Sequence, residues 1–366
     1  MTRARLPAKR AGMSSAAPLR LLLDADALIG NWRWLAAHHD RAGCGAAVKA
    51  NGYGLGARDV VDHLGRAGCR DFFCATWAEA TALGRMPDGA RLAVLHGVRE
   101  EDMAQALGAP ARPVLNSVAQ VRRWRDAGGE GVCDVMVDTG MSRLGLSIDE
   151  VRDGALEGLA IDTLMSHLAC ADEPDHPLNL RQLDAFRALV GRVPATRFSL
   201  ANSAGILLGE DYGFDLTRPG IALYGGVPVP EASGIRPVAA IEAQVLQVRS
   251  VAAGAAVGYG ATWQAAVDSR IAILNLGYAD GFMRLFARGA FARAGDRLLP
   301  LVGRVSMDLI AVDVTGAGIV DGDWLRLDLD LPGLSARSGL SQYEILTGLN
   351  DRFERRWLSA QPRDQA

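Results

Sequence analysis

The stretch CGAAVKANGYGLG, Cys44–Gly56, decides the fold of this 366-residue chain and points to its chemistry. Its short apolar run, Ala46 to Val48, is typical of a buried strand. The run ends at Lys49, and the asparagine and glycines that follow predict a tight exit with positive φ. A lysine at the end of a buried strand either extends its amine to solvent or uses that amine chemically. The local pattern leaves both interpretations open.

The bulk composition is that of a soluble globular protein with room for two domains. Hydrophobic residues make up 49% of the chain, charged residues 22%, and the net charge is −3. This charge favours neither nucleic acid nor an anionic membrane as a partner, and no apolar run reaches the roughly 20 residues of a membrane helix. The 5 cysteines include no CxxC pair, so we expect reduced thiols, no metal site and a cytoplasmic location.

The first twenty residues carry five basic side chains and no acidic one. We predict a flexible basic tail over residues 1–20, and the sequence leaves open whether Met13 is the true start.

From Ala46 onward, apolar runs alternate with amphipathic helical patterns, which predicts a parallel (β/α)8 barrel of the TIM type over residues 21–231. Eight runs are predicted as its strands: Ala46–Lys49, Phe72–Thr76, Leu92–His96, Pro113–Asn116, Cys133–Val137, Ile161–His167, Thr196–Leu200 and Phe214–Tyr224. The last run is the weakest, because Pro219 disfavours a central strand position. The predicted helices are Asp24–His39, Ala57–Ala67, Ala78–Arg85, Glu100–Leu107, Val118–Ala127 and Asn179–Val190.

Polar side chains stand where these predicted strands end, and in such a barrel those ends form one functional mouth. They are Lys49, Asp138 to Arg143, His167, Asn202, Ser203 and Arg218. Taken singly, His167 is equally compatible with a satisfied core histidine, and Arg218 with a surface arginine. A glycine after Arg218 would free backbone amides for a phosphate.

Beyond Val227–Pro230 the helical patterns nearly vanish, which predicts a second, mostly β domain over residues 232–366. Its predicted strands are Val238–Val251, Arg270–Leu276, Leu298–Val305, Leu309–Val314 and Trp324–Leu329, followed by one helix, Ser341–Leu349. Glycines flank two tyrosines of this domain, Tyr259 and Tyr278. A phenol can carry protons if its neighbours stabilise the phenolate, although packing tyrosines are the commoner case.

Nine motifs across the chain resemble those of the alanine racemase family in the family's order. They are AVKANGYGLG, VDTGMSRLG, SHLACADE, LANSAG, RPGIALYG, VGYGATW, LGYADG, GRVSMD and SQYEILTG. The resemblance runs from about Leu21 to about Trp357. It implies a fold-type III enzyme that uses pyridoxal 5'-phosphate to interconvert L-alanine and D-alanine, in bacteria the source of D-alanine for peptidoglycan.

The same resemblance assigns roles to individual residues. Lys49 would hold the cofactor as a Schiff base and serve as the base on the D-alanine face, while Tyr259 from the partner of a homodimer would serve the L-alanine face. Arg218 would face the pyridine nitrogen, with His167 bridging Arg218 and Tyr259, and Arg143 would contact the cofactor's phenolic oxygen and the substrate. The phosphate would be held by Tyr53, Ser203, Gly220, Ile221 and Tyr343, and the substrate also by Tyr278, Met307 and Asp308.

Three positions depart from the family's pattern. Leu55 and Ser199 stand where histidine is common in the family, and Met136 stands where the family often has a carbamylated lysine that braces the residue matching Arg143. An acid, an anion or water is then expected to brace Arg143.

The alternative functions are those of a racemase of broader or serine-type specificity, a fold-type III decarboxylase, and a non-catalytic pyridoxal-phosphate-binding protein. The decarboxylase needs an acid in place of Arg218, and the last alternative lacks a β domain.

Overall fold

A computed structural model describes residues 17–129 and 131–359 of the chain. Met13 and residues 1–16 of the predicted tail lie outside the described residues. The tail predicted over residues 1–20 is wrong at its end, because Leu19 is buried and begins the first strand together with Arg20. The described residues form two compact units. The first, called the barrel unit, contains residues 22–240, 328–350 and those after 354; the second, called the β unit, contains residues up to 21, 241–327 and 351–354.

The α-helices all lie in the barrel unit as far as the described residues go. They are α1 (Ala25–Ala36), α2 (Lys49–Tyr53), α3 (Ala57–Ala67), α4 (Trp77–Leu83), α5 (Met103–Gly108), α6 (Val118–Asp126), α7 (Ile148–Arg152), α8 (Pro177–Arg187), α9 (Leu331–Ser338) and α10 (Gln342–Thr347). Seven 3-10 turns accompany them, including Ile221–Tyr224 and Tyr259–Ala261.

The strands follow the same chain order. They are β1 (Leu19–Asp24), β2 (Gly43–Cys44), β3 (Ala46–Ala47), β4 (Asp71–Cys74), β5 (Arg91–Val94), β6 (Arg112–Leu115), β7 (Cys133–Met136), β8 (Ile161–Met165), β9 (Ala195–Ser199), β10 (Leu216–Thr217), β11 (Ala239–Val251), β12 (Ala256–Val257), β13 (Trp263–Gln264), β14 (Ser269–Leu274), β15 (Phe291–Ala294), β16 (Arg297–Val302), β17 (Ile310–Asp313), β18 (Trp324–Asp328) and β19 (Glu354–Leu358).

The barrel unit is built on a curled, all-parallel sheet in the order β3-β4-β5-β6-β7-β8-β9. Its strands are buried on both faces, as expected where helices cover the outside of a parallel sheet. The register is regular through most pairs, for example Phe73 opposite Ala93 and Leu164 opposite Phe198, and it shifts once between β7 and β8. The predicted TIM-type barrel is confirmed.

The eighth predicted strand, Phe214–Tyr224, is wrong in extent. Only β10 is a strand, pairing with β2, and the chain turns into a 3-10 helix at Ile221. Pro219 has no N–H to donate to a ladder, which ends the regular pairing here. The segment still joins both edges of the sheet, since Ala47 N donates to Pro219 O and Arg218 N to Ala201 O, each at 2.9 Å.

The inside of the barrel is apolar directly below its mouth. Phe73, Val114, Met165 and Leu216 form a buried cluster there, and Met136 packs within it at 8% exposure. At the position where the resemblance suggested a possible lysine, the methionine therefore acts as part of the core.

Local sequence signals explain where the helices begin. Asp24 caps α1 by accepting the N–H of Ala27 at 2.8 Å, so α1 is shorter than the predicted Asp24–His39. Thr76 and Glu79 form a capping box at the start of α4. The helix predicted over Ala57–Ala67 has those same limits, and the others shift by a few residues at their ends.

The β unit contains a closed antiparallel sheet. Its strands follow the order β14-β17-β16-β15-β18-β11, and β11 pairs again with β14 to complete the circle. A bulge in β11 between Val245 and Gln247 accompanies this closure. The mostly β second domain is confirmed as a fold class. β15 was not predicted, because its four residues, FARA, form too short and weakly apolar a run to show a strand period.

The domain boundary placed at residue 232 stays a prediction. The helix expected to close the β domain, α10, belongs by its contacts to the barrel unit. Over residues 17–129 and 131–359, no helix has the length and apolarity needed to cross a membrane.

Candidate active site

A cavity of about 500 Å³ opens at the carboxyl ends of the barrel strands. This volume is typical of small-molecule and cofactor sites. All nine predicted cofactor-binding residues line it, including Tyr343, which the sequence analysis assigned to the second domain: Lys49, Tyr53, Arg143, His167, Ser203, Arg218, Gly220, Ile221 and Tyr343. The strand-end prediction therefore brings its residues together in one place.

Lys49 enters the cavity from a strained turn. Ala50, Asn51 and Tyr53 have φ of 52°, 53° and 54°, in the left-handed region that side chains other than glycine rarely adopt. Backbone bonds hold the turn, with Gly52 N donating to Val48 O at 2.9 Å, and Asn51 Oδ1 accepts Ala57 N at 3.0 Å. The positive φ predicted from this stretch is thus present.

Glu79 fastens the same turn from the neighbouring helix. Its Oε1 accepts the N–H of Ala50 at 2.8 Å, and its Oε2 accepts the N–H of Ala75 at 2.6 Å. Sequence reasoning did not select Glu79, although the T-x-x-E capping box at Thr76 was visible as a helix start.

Burial and a neighbouring cation favour the neutral amine of Lys49. Its pKa is lowered mainly by burial and then by Arg143, with Glu79 acting in the opposite direction. A neutral amine is the form that acts as a nucleophile or accepts a proton. The pKa of His167 falls to about 3, because it is desolvated and lies near Arg218, Arg143 and Lys49. His167 is therefore a neutral imidazole at physiological pH.

Arg218 lies in the wall with only 6% of its surface exposed. Its Nη1 donates to Ser199 Oγ and its Nη2 to the backbone oxygen of Ser166. Burial lowers its pKa to about 10, while Asp134 acts to raise it, so the guanidinium stays charged at neutral pH. A cation held by neutral oxygens offers N–H donors and no acceptor to whatever it faces.

Ser203 and the turn after Pro219 form a small cradle. The backbone N–H groups of Gly220 and Ala222 donate to Ser203 Oγ at 2.8 and 3.3 Å, which leaves the serine its own proton to donate. Tyr53 closes one side of this cradle, and its ring is stacked on that of Tyr224 with the centroids 4.6 Å apart. A Cβ built on Gly220 would overlap the Tyr53 hydroxyl, so the cradle needs a glycine there.

The other four predicted site residues, Tyr259, Tyr278, Met307 and Asp308, belong to the β unit. Tyr259 follows β12 at the tip of a short hairpin and is 70% exposed.

The segment 303–308 contains Met307 and Asp308 and lies next to the chain around Tyr259 and Tyr278. A Cβ on Gly258 would lie 3.5 Å from Arg304 N, and Tyr278 N donates to Ser306 O at 3.1 Å. Asp308 Oδ1 accepts Arg352 Nη1 at 2.8 Å.

Fold and cavity together define a class of protein: a TIM-type barrel protein whose cavity holds a buried lysine amine beside the Ser203 hydroxyl and the turn after Pro219. Comparisons with known proteins specify the family. The family model for "Alanine racemase, N-terminal domain" matches residues 23–228, and that for "Alanine racemase, C-terminal domain" matches residues 238–357.

Individual relatives agree with this assignment. The alanine racemase of Acidiphilium cryptum is 42% identical, over 92% of this chain and 97% of that protein. That of Rhodospirillum rubrum is 44% identical, over 94% and 97%. The crystal structure of alanine racemase from Bartonella henselae with covalently bound pyridoxal phosphate superposes with a TM-score of 0.83 at 36% identity, covering 93% of this chain and 99% of that one. The chain belongs to the alanine racemase family.

Members of this family are pyridoxal-phosphate-dependent isomerases, so the predicted family, reaction class and cofactor are confirmed. The cavity also fits the cofactor on its own chemistry. A desolvated lysine amine suits an aldehyde, and the glycine cradle beside Ser203 and Tyr53 suits a phosphate. The charged guanidinium of Arg218, hydrogen-bonded to neutral oxygens, suits an unprotonated ring nitrogen.

Proposed function

We propose that this protein interconverts L-alanine and D-alanine with two bases of its own, Lys49 on the D-alanine face and Tyr259 on the L-alanine face. The observation that carries the proposal is the convergence of all nine predicted cofactor-binding residues on one cavity. Lys49 Nζ would take the Cα proton of D-alanine or return one to that position. The Tyr259 hydroxyl would do the same on the opposite face of the Cα.

Bound pyridoxal 5'-phosphate supplies an electron sink for the negative charge that develops at the substrate Cα. Tyr53, Ser203, Tyr343 and the amides of Gly220 and Ile221 would hold its phosphate. Arg218 would keep the ring nitrogen unprotonated, since a guanidinium does not yield its proton at neutral pH. A weakened sink favours rapid return of the Cα proton, and therefore racemisation over side reactions.

On the substrate side, Arg143, Tyr278, Met307 and Asp308 would orient the alanine, with the Met307 N–H meeting its carboxylate. His167 would connect Arg218 with Tyr259. A neutral His167, as its low pKa requires, can accept a hydrogen bond from Arg218 and donate one to a phenolate.

We also propose a head-to-tail homodimer in which Tyr259 of the partner subunit completes each site. Tyr259 is 70% exposed and Met307 54% exposed in the single chain, which supports coverage by a second copy. The setting would be the cytoplasm, where D-alanine is made for peptidoglycan.

Hybrid dimers test the function and the shared site together. Lys49→Ala and Tyr259→Ala homodimers should each be inactive in racemisation, but a dimer with one chain of each type has one intact site. Random exchange of subunits should restore about a quarter of the wild-type rate. Mixing differently tagged Lys49→Ala chains serves as the control. Isolated hybrids without activity would contradict the shared site, and an inactive wild-type protein would contradict the reaction itself.

A further inference from the structure

Arg143 sits on a loop, residues 138–145, whose backbone is closed at its base. Asp138 N donates to Leu146 O at 2.8 Å, and Leu146 N donates to Met136 O at 2.9 Å. Gly145 has φ of 130°, and a Cβ there would collide with the backbone of residues 137 and 138. Within the described residues, no hydrogen bond or ion pair holds the guanidinium of Arg143 itself. Its position must come from how the loop is held.

The loop is bound from behind by a buried glutamine of α8. Gln182 is 0% exposed and uses its whole amide. Its Nε2 donates to Thr139 Oγ1 at 3.3 Å and to His167 O at 2.9 Å, while its Oε1 accepts Ala169 N at 2.9 Å. One side chain therefore connects the Arg143 loop to the segment that carries His167.

Ser166 extends this connection to Arg218. The hydroxyls of Thr139 and Ser166 are hydrogen-bonded at 2.7 Å, and the backbone oxygen of Ser166 accepts Arg218 Nη2. Gly140 lets the loop approach α8 closely, because a Cβ there would lie 3.3 Å from Leu178 Cδ1 and the φ of 135° favours glycine. The loop, the His167 segment and Arg218 thus share one buried polar network.

We propose that Thr139 and Gln182 are positioning residues that clamp the Arg143 loop against the His167 and Arg218 wall. A loop fixed at its base and its back holds an exposed arginine in place without a side-chain partner, since little conformational freedom remains to be lost on binding. The consequence for catalysis rests on the proposed role of Arg143 in binding alanine and cofactor.

Thr139→Val tests the clamp, since it keeps the shape of the side chain and removes the hydroxyl that serves Gln182 and Ser166. In the holoenzyme, amide hydrogen exchange of the peptide 138–146 should rise about tenfold. The KM for alanine should rise more than kcat falls, and the visible absorption of the bound cofactor should shift. Thr139→Ser restores the hydroxyl and should restore all three values.

Two further variants complete the test. Gln182→Glu keeps the shape and loses both N–H donors, so it should reproduce Thr139→Val even where the valine variant folds poorly. Asn179→Ala is the matched control: this buried amide of α8 donates to the carbonyls of Cys170, Glu173 and Pro174, and its loss should leave exchange at 138–146 unchanged.

The outcomes separate the clamp from the proposed function. Wild-type exchange at 138–146 in folded Thr139→Val and Gln182→Glu holoenzymes overturns the clamp. Faster exchange with an unchanged KM supports the clamp and overturns the role of Arg143 in binding alanine.

Discussion

At the scale of single residues, the chemistry of this site is set by neighbours rather than by residue type. The pKa of Lys49 is lowered because its amine is desolvated and faces Arg143, and His167 is neutral mainly because it is desolvated, with Arg218 and Arg143 adding to the effect. Arg218 is buried against Ser199 and a backbone oxygen, with no carboxylate in contact. Burial and neighbouring charges thereby favour the neutral amine of Lys49 and keep His167 neutral, while Arg218 stays charged at neutral pH.

Ser199 is a position where a single hydroxyl is expected to matter. It accepts Arg218 Nη1 and donates to the backbone oxygen of Leu216, so Ser199→Ala leaves a buried charged donor without its partner. We expect the free energy of unfolding to fall by about 1–3 kcal/mol, measured by urea denaturation of the holoenzyme. The cofactor's absorption should shift as Arg218 moves.

Ser338→Ala is the control for this substitution. Ser338 is half-buried on α9, donates to Leu334 O and accepts the N–H of Leu340, all neutral groups next to it in sequence, so its loss should cost no more than about 1 kcal/mol. Equal effects of the two substitutions would argue against a special contribution from Ser199.

At the scale of elements, the site is assembled from strand ends and the irregular turns that follow them. The left-handed turn after β3 presents Lys49, and the 3-10 turn that begins at Ile221 presents the amides of the cradle. Strained backbone of this kind costs about 1–3 kcal/mol per residue and persists only where surrounding contacts hold it. The hydrogen bonds of Glu79 and Ser203 are such contacts.

Gly220→Ala should close the cradle. The added methyl group would meet the Tyr53 hydroxyl, and stacking on Tyr224 limits how far that ring can move. We expect the affinity for pyridoxal 5'-phosphate to fall at least about tenfold, as a cost of 1.4 kcal/mol or more implies. Titration of the apoenzyme by fluorescence quenching measures this.

Gly108→Ala is the matched control, because a Cβ at the end of α5 meets nothing within 4 Å. Its cofactor affinity should equal that of the wild type. Wild-type affinity in Gly220→Ala as well would show that the cradle does not hold the phosphate.

At the scale of the whole molecule, the barrel separates a catalytic end from a structural end. Near the amino ends of six consecutive strands, β4 to β9, three aspartates and three arginines form a chain of ion pairs: Asp71, Arg91, Arg112, Asp134, Asp162 and Arg197. Arg197 bridges two of the aspartates, at 3.0 Å from Asp71 and 2.6 Å from Asp162. These charges close the end of the barrel opposite the cavity.

Asp134 has the poorest hydrogen bonding of the three aspartates in this chain of ion pairs. It is fully buried, and its Oδ2 accepts no hydrogen bond within the described structure, although Arg112 lies 3.5 Å away. Burial raises its pKa from 3.8 to about 6. Because the folded state binds this proton more tightly, the stability it contributes is complete below pH 4 and is lost as the pH rises through 6.

Asp134→Asn should remove this pH dependence. Between pH 4 and pH 7, the free energy of unfolding of the wild type should fall by on the order of 3 kcal/mol more than that of the variant, measured by urea unfolding at each pH. Asp149→Asn, on the surface of α7, should leave the wild-type dependence intact. Parallel pH profiles for the wild type and Asp134→Asn would contradict the assignment.

Much of this protein was determined by its sequence alone. Alternating runs and helical patterns predict a parallel barrel followed by strands, and glycines beside Lys49 predict its left-handed exit, because periodicity and backbone sterics are local properties. The resemblance in nine motifs supplied the cofactor and the reaction. Lys49, Arg143, His167, Ser203 and Arg218 were predicted from their places at strand ends, whereas Tyr53, Gly220, Ile221 and Tyr343 came from the resemblance; all nine line one cavity.

Only the tertiary structure decided the rest. Met136 packs in the core, Gln182 and Thr139 hold the Arg143 loop, and Asp134 lies in a chain of buried charges. The sequence separation from Thr139 to Gln182 is 43 residues, and no local pattern encodes such a contact. The pKa of a group depends on burial and on charges brought near it by folding, so the protonation states of Lys49 and His167 were decided by the fold.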